Sequence, residues 1–328
     1  MGTSVIPIGH GKYGGIEKLC YDFVEGLHRL GHQITVAAPR GSRVPEGVKL
    51  IETVKLPDYQ DRDDITDKKL IPWLVPNIDI DAIHDFSHKH VLKERVFPSI
   101  HMVWHPITHY YLFQSNYNAV CLSNWQKERF EKAYGQKAIV MPMCVDTDKY
   151  RPVDNPSRER FLFLGKISPE KGVHLAIQYC RELGAGLDVV GGLIPSELNS
   201  SYLQSIQKLC EGDNIKLYFN VTEEEKIGFL QNAKAVIYPV QQDEAHWLVG
   251  IEAWACMTDT YTFDRGAMRE ICLPRTVAKT EEEFKELMQT EGYYHREQIW
   301  AHGQQYNLGV VLPKYLELYK LVAEGKRW

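Results

Sequence analysis

Two doubly wound α/β units, each built on a parallel sheet, are the fold class this sequence predicts, and three observations predict it. Strand-like and helix-like segments alternate almost throughout. The alternation breaks once, near 151–160, and then restarts. The glycine-bearing and charge-bearing motifs fall where a strand hands over to a helix. At 328 residues the chain is long for one core, and a prior of roughly 150 residues per domain also points to two.

In chain order, TSVIPI reads as a short apolar strand. Ile16, Leu19, Cys20, Phe23, Leu27 and Leu30 then recur at helical spacing until Gly31 ends the run. QITVAAP, DAIHDF, SIHMVW, NAVCLS and KAIVMP read as strands, with WQKERFEKAY a helix between the last two. The stretch 55–81, with its DRDD run and three prolines, reads as a surface connection. RPVDNPSRER carries prolines, Asn and charges with little to bury, so the interdomain linker is placed there. Alternation resumes with FLFLGK, a helix over VHLAIQYCREL stopped by Gly184, and LDVVGG. The helix SYLQSIQKLC and the strand IKLYF follow, then a helix begun by a Thr222–Glu225 capping box. AVIYPV, the helix LVGIEAWAC and TYTF complete the series, and a Tyr/Leu-rich helix over 306–324 closes the chain. The domains expected are 1–155, 156–305 and a terminal helical segment 306–328.

Composition narrows the function classes. Residues 1–155 hold 19 Lys+Arg and 19 Asp+Glu, so the rest hold 38 − 19 = 19 and 43 − 19 = 24, and the deficit of five lies in the second half. Neither half is basic enough to read as a nucleic-acid binder. Seven scattered cysteines without a C-x-x-C pair argue for reduced thiols in a cytoplasmic setting and against structural zinc. No apolar run is long enough for a signal peptide or a membrane span.

Four motifs carry chemistry. In GHGKYGGIEK, Gly14 and Gly15 lie between a strand and a helix, where bare backbone lets a phosphate or sugar approach the helix N-terminus; such a contact contributes roughly 0.3–1 kcal/mol. A tight turn that needs glycine explains the same residues. The spacing is not that of a P-loop or of G-x-G-x-x-G. In GKISPEKG, Lys166 and Lys171 bracket a turn of four residues, so both ammonium groups can meet one diphosphate, or both can simply be solvated. Glu244 and Glu252 flank the start of an apolar helix. A carboxylate inside such a helix is costly unless it accepts hydrogen bonds; ribose hydroxyls are natural donors, and backbone groups are the other reading. Period-2 alternation puts His101 and His105 on one face of a predicted strand, and His84 and His88 stand at another strand end, where open α/β sheets bind ligands. No carboxylate–histidine set accompanies them, so no metal is expected.

Taken together, these residues make the chain resemble the retaining nucleotide-sugar glycosyltransferases of family 4, the "group 1" transferases, whose GT-B architecture is two Rossmann-like domains facing across a cleft. The match runs in order through YGGIEKLCYDFVEGLHRLGHQITVAAP, VCLSNWQKERF, MPMCVDTDKYRP, FLFLGKISPEKG and VTEEEKIGFLQNAKAVIYPVQQDEAHWLVGIEAWAC. The resemblance implies that Lys166 and Lys171 neutralise the donor diphosphate, that Glu252 accepts from ribose, and that Glu244 accepts from the transferred sugar. It further implies that amides of His246, Trp247, Leu248 and Val249 face the sugar and distal phosphate, and that Gly14 and Gly15 face the diphosphate from across the cleft. His105 takes the place of the cleft histidine, with His101 next and His84 a further acceptor-side candidate. The terminal helix would pack back on the first domain. The usual E-P-F-G reads Glu244-Ala245-His246-Trp247, which would set a bulky side chain beside the donor sugar. The usual A-C-G-T-P reads Ala255-Cys256-Met257-Thr258-Asp259, without its glycine cap, and P-N-G-V-D reads Pro142-Met143-Cys144-Val145-Asp146.

The expected activity is a retaining, metal-independent hexosyl transfer from a nucleotide-diphosphate sugar, UDP-linked rather than GDP-linked, to an acceptor hydroxyl. No cofactor is needed, since the nucleotide-sugar is the substrate. The acceptor is open between a glycan, a lipid-linked glycan, a small metabolite and a modified base. The alternative is a catalytically silent nucleotide-sugar-binding or scaffolding subunit of the same fold; an epimerase on this architecture fits the glutamate and lysine pairs less well. HKHVLKERVF is mildly basic, which allows peripheral membrane contact without indicating it, and a solvated helix face is the plainer reading.

Overall fold

The computed structural model describes residues 1–2, 6–9, 14–53, 79–87, 97–106, 118–192, 200–212, 214–290 and 292–328. Its contacts divide the chain into one unit of Met1–Cys144 with Leu308–Trp328 and a second of Val145–Asn307.

In the first unit, helix α1 (Gly15–Arg29) buries Leu19, Cys20, Phe23, Val24 and Leu27, the stripe its spacing predicts. Strands β1 (Thr35–Ala38) and β2 (Lys49–Glu52) pair in parallel, while β3 (Ile83–Asp85), β4 (Ser99–Met102), β5 (Ala119–Cys121) and β6 (Ala138–Val140) form a four-stranded parallel sheet in that order. The expected TSVIPI strand falls largely on 3–5, outside the described residues. Met1 and Gly2 bridge the two sheets: the Met1 nitrogen donates to His84 O (2.6 Å), Phe86 N to Met1 O (2.9 Å) and Gly2 N to Ala37 O (2.9 Å). Helix α2 (Asn124–Tyr134) starts at Ser123, whose hydroxyl accepts from Gln126 N, and stops at left-handed Gly135. The C-terminal helix Leu308–Ala323 packs in this unit against α1, where a Cβ at Gly26 would meet Leu312 Cδ1 at 2.5 Å. Its fully buried Tyr315 stands edge-on to Phe23 with ring centroids 4.8 Å apart.

The second unit runs β7 (Arg160–Lys166), α3 (Val173–Glu182), β8 (Gly186–Gly192), α4 (Ser201–Leu209), β9 (Ile215–Phe219), α5 (Glu223–Asn232) and β10 (Ala235–Tyr238). It continues with α6 (Leu248–Ala255), β11 (Asp259–Phe263), β12 (Val277–Ala278), α7 (Glu281–Gln289) and α8 (Arg296–Gln304). The strand order is β12-β11-β10-β7-β8-β9, all parallel. Counted from the unit's first strand this is 6-5-4-1-2-3, the doubly wound order whose direction of winding reverses between β7 and β10. The sheet is covered on both faces, which explains why FLFL and AVIY read as continuous apolar runs. Thr222 and Glu225 form the capping box reciprocally, at 3.2 and 2.7 Å.

Two expectations change. The segment 151–160 lies within the second unit rather than between units. Ser157 N and Arg158 N donate to Asn232 at the end of α5, and Gln231 Nε2 donates to Arg151 O, so the chain there is fastened down. The division falls instead at Cys144/Val145 and Asn307/Leu308. Second, the missing glycine cap of α6 has not altered the helix end. Met257 takes the left-handed conformation itself (φ 57°) and closes a Schellman motif, with Met257 N donating to Trp254 O and Thr258 N to Ala253 O.

Candidate functional site

The winding reversal brings two βα loops side by side: Ile167–Gly172 after β7 and Pro239–Trp247 after β10. They are joined directly, Gln241 N donating to Glu170 O at 2.9 Å. Gly172 makes the join possible. It is left-handed (φ 75°), and a Cβ there would fall on Pro239 O, so only glycine serves on both counts.

On this frame Lys171 and Glu244 meet, Nζ to Oε1 at 2.5 Å. The same oxygen accepts from Tyr238 OH at 2.8 Å and from Gln242 Nε2 at 3.2 Å. Burial, with Glu244 beside it, pushes the Tyr238 phenol well above its ordinary range, so the hydroxyl stays a donor. Lys166 lies on the other side of the turn, its Nζ 3.9 Å from Glu170 Oε1. Burial raises the Glu170 carboxyl, but Ser168, its own amide, Lys166 and Lys171 outweigh that and hold it below the usual range. Both lysines therefore act on one small region, as the turn's length predicts. The carboxylates that share it, Glu170 and Glu244, were not foreseen as their partners, nor were Tyr238 and Gln242.

Helix α6 begins four residues after Glu244, and Trp247 at its N-cap offers no side-chain cap. The first-turn amides of Leu248 and Val249 have no intrahelical acceptor, as at any helix start. Trp247, which stands where the family pattern has glycine, buries its indole. It is 4% exposed, stacked on Tyr238 at 5.0 Å and 14° and edge-on to Trp254 at 6.4 Å. Gly250 admits it, since a Cβ there would meet Trp247 Cε3 at 2.6 Å.

His246 is also turned inward, beside Tyr306, and neither ring nitrogen has a partner among the described residues. Burial lowers its pKa from 6.5 to about 3, so the ring is neutral when folded. His246→Phe should stabilise the protein by about 1–3 kcal/mol, the cost of one unmet buried polar group. The sign with pH is fixed. The unfolded chain takes a proton below about 6.5 and the folded ring does not, so wild-type stability falls between about pH 6.5 and 3 and the variant loses that component. Denaturant titrations at pH 5 and 8 check it; a less stable variant at both would mean that the imidazole is satisfied.

Glu252 is 2% exposed on α6 and is held by side chains rather than backbone: Tyr150 OH donates to Oε1 at 2.8 Å and Lys226 Nζ at 3.0 Å. Sequence reasoning found Glu252 and missed both partners, which lie 102 and 26 residues away.

The first-unit candidates are dispersed. Gly14 is the N-cap of α1 (φ 112°) and Gly15 its first residue, but the backbone is not bare, because the buried Glu17 carboxylate lies where a Cβ of Gly14 would go. β4 ends at Met102, so alternation does not carry His101 and His105 onto one face, and all four β4 residues are buried. His101 is 1% exposed and bonded to Asp85 Oδ2 (3.1 Å) and Ser99 Oγ (2.9 Å), a satisfied core histidine. His105 is exposed, its carbonyl accepting from Gln126 Nε2 at 3.0 Å. His84 bonds Tyr319 OH at 2.7 Å and stacks on Tyr315, and burial holds its pKa well below the ordinary value. Packing, not ligand contact, accounts for His84 and His101. His88 and nearly all of HKHVLKERVF lie outside the described residues. Among the described residues no three His, Cys, Asp or Glu side chains cluster as a metal ion requires, and no helix is long and apolar enough to cross a membrane.

Solved structures share this fold over essentially the whole chain. AviGT4, a glycosyltransferase involved in avilamycin A biosynthesis, superposes with a TM-score of 0.75 at 20% identity, covering 100% of this chain and 98% of its own. Sucrose-phosphate synthase from Thermosynechococcus elongatus gives 0.79 at 15%, covering 99% and 98%. Alr3699/HepE of Anabaena, solved with UDP and glucose, gives 0.71 at 13%, covering 96% and 98%. At these identities the likeness is one of fold, and the fold is that of the GT-B glycosyltransferases. No curated protein matches the chain in sequence. The family profile "Glycosyltransferase Family 4" matches residues 13–149, and "Glycosyl transferases group 1" matches 146–283. The chain belongs to the group 1, family 4 glycosyltransferases.

Proposed function

We propose that the protein transfers a sugar, with retention of configuration, from a nucleotide-diphosphate donor to an acceptor hydroxyl, and that the donor is UDP-linked. One observation carries the reading: Lys171 and Glu244 meet at the winding reversal, beside Lys166 and the uncapped start of α6. Ligands of open α/β sheets bind at that point. Breaking the bond between the anomeric carbon and the phosphate oxygen leaves negative charge on the diphosphate. Lys166, Lys171 and the amides of Leu248 and Val249 are placed to stabilise it, while Glu244 accepts from the sugar's hydroxyls. The acceptor attacks from the face the diphosphate leaves, and its proton passes to the departing phosphate oxygen. His105 is assigned to the acceptor side. No resident metal or cofactor takes part in this scheme, and the capture of UDP and UDP-glucose by HepE supports uridine.

The test is a panel of UDP-, GDP- and ADP-sugars scored by thermal shift and by slow hydrolysis, with the anomeric configuration of the product read by NMR. UDP-sugars should give the largest shift and a retained product. A GDP preference or an inverted product would overturn those parts; no response to any donor would overturn the reading altogether.

A further inference from the structure

Around Glu252 the second unit holds a compact set of charges that the scheme above does not use. Tyr150, from the segment preceding β7, is fully buried, and its hydroxyl touches Glu252 Oε1 and Glu223 Oε1. One phenolic proton serves one carboxylate at a time. Lys226 on α5 supplies the rest, its Nζ 3.0 Å from Glu252 Oε1, 3.0 Å from Glu223 Oε2 and 5.1 Å from the Tyr150 ring centre. Two separate elements thus converge on one carboxylate oxygen of a third.

Stability alone is a poor reason for this arrangement. A buried Lys–Glu pair is commonly no more stabilising than an apolar pair of the same size, because desolvation offsets the attraction. The position of Glu252 supplies a better reason. At a rise of about 1.5 Å per residue it lies about 6 Å along α6 from Leu248, within a nucleotide's length of the Lys171–Glu244 contact. Both internal bonds arrive on Oε1, so the carboxylate's plane and charge are set before any ligand comes.

We propose that Lys226 and Tyr150 are positioning residues for the nucleoside, fixing one oxygen of Glu252 so that the carboxylate stands ready to accept from ribose hydroxyls. This deepens the donor reading and rests on it. Neither residue touches the donor; both act through Glu252. With Lys226 replaced by an apolar residue, Glu252 Oε1 loses the ammonium 3.0 Å away, and the carboxylate is no longer held in one orientation.

The experiment uses the whole protein and isothermal titration. Whichever of UDP, ADP and GDP binds tightest is compared with its 2′-deoxy form, in the wild type, Lys226→Met, Lys226→Arg and Tyr150→Phe. The wild type should prefer the ribonucleotide about tenfold or more, the worth of a hydrogen bond to a charged acceptor. In Lys226→Met the preference should fall toward unity, while Lys226→Arg keeps it. Tyr150→Phe should lower it. A folded Lys226→Met protein with wild-type preference overturns the proposal, and so does an unchanged Tyr150→Phe if the Met variant does not fold. A wild type that binds none of the three nucleotides overturns the donor reading instead.

Discussion

Lys171→Ala should lower turnover by about 10²–10³-fold, the ~2.7–4 kcal/mol typical of removing one preorganised donor at a developing charge, and should leave the fold intact. Lys171 is the cation that the two loops deliver to Glu244, and no other lysine contacts that carboxylate among the described residues. Glu244 retains Tyr238 and Gln242 as donors, so deleting the ammonium does not strand it. The stability change should stay within about 1 kcal/mol, as for a partly exposed ion pair. Lys166→Ala should cost less, because its ammonium lies 3.9 Å from the loop's own Glu170. Initial rates at saturating donor, paired with a thermal melt, check both variants. A near-normal rate in Lys171→Ala removes that lysine from the chemistry.

Gly172→Ala should be the most damaging exchange at the site. A left-handed non-glycine residue costs roughly 1–2 kcal/mol, and overpacking against a fixed neighbour adds about 1–3. Here the neighbour is the Pro239 carbonyl, backbone that cannot swing aside. A total of about 2–5 kcal/mol follows, with loss of the contact between Glu170 and Gln241 that sets the loops together. Gly184, at the other end of α3, supplies the control. It has φ 62° with open space around it, so Gly184→Ala should cost only the conformational part, about 1–2 kcal/mol. Urea titrations of the two variants read the difference; equal losses would show that close approach contributes nothing.

The second unit was legible from sequence nearly throughout. Its strands are continuous apolar runs, its helices end at Gly184 or start at Thr222, and its charged motifs sit at strand ends, where local spacing carries the signal. Lys166, Lys171, Glu244 and Glu252 were singled out that way as candidates. Their partners were not, because Tyr150, Lys226 and Tyr238 reach them through topology, which periodicity does not report. The first unit was read less well. Sheet strands covered on both faces lack alternation, so the argument that paired His101 with His105 had no physical basis once β4 ended at Met102. Asp85, the residue that explains His101, is its cross-strand neighbour on β3. The packing of the Trp247 and His246 side chains was not legible for a related reason. A family pattern fixes which backbone faces the ligand but says nothing of which way a substituted side chain turns.

The indole of Trp247 and the missing side chain of Gly250 define an order in which mutations can accumulate. While the tryptophan is present, alanine at 250 is blocked by its ring at 2.6 Å. Only after 247 shrinks does 250 become open, and alanine there would then gain about 1 kcal/mol of helix propensity. The two sites thus behave as one epistatic unit: tryptophan at 247 requires glycine at 250, so grafting the tryptophan alone into a relative with a larger residue there will fail where the pair succeeds.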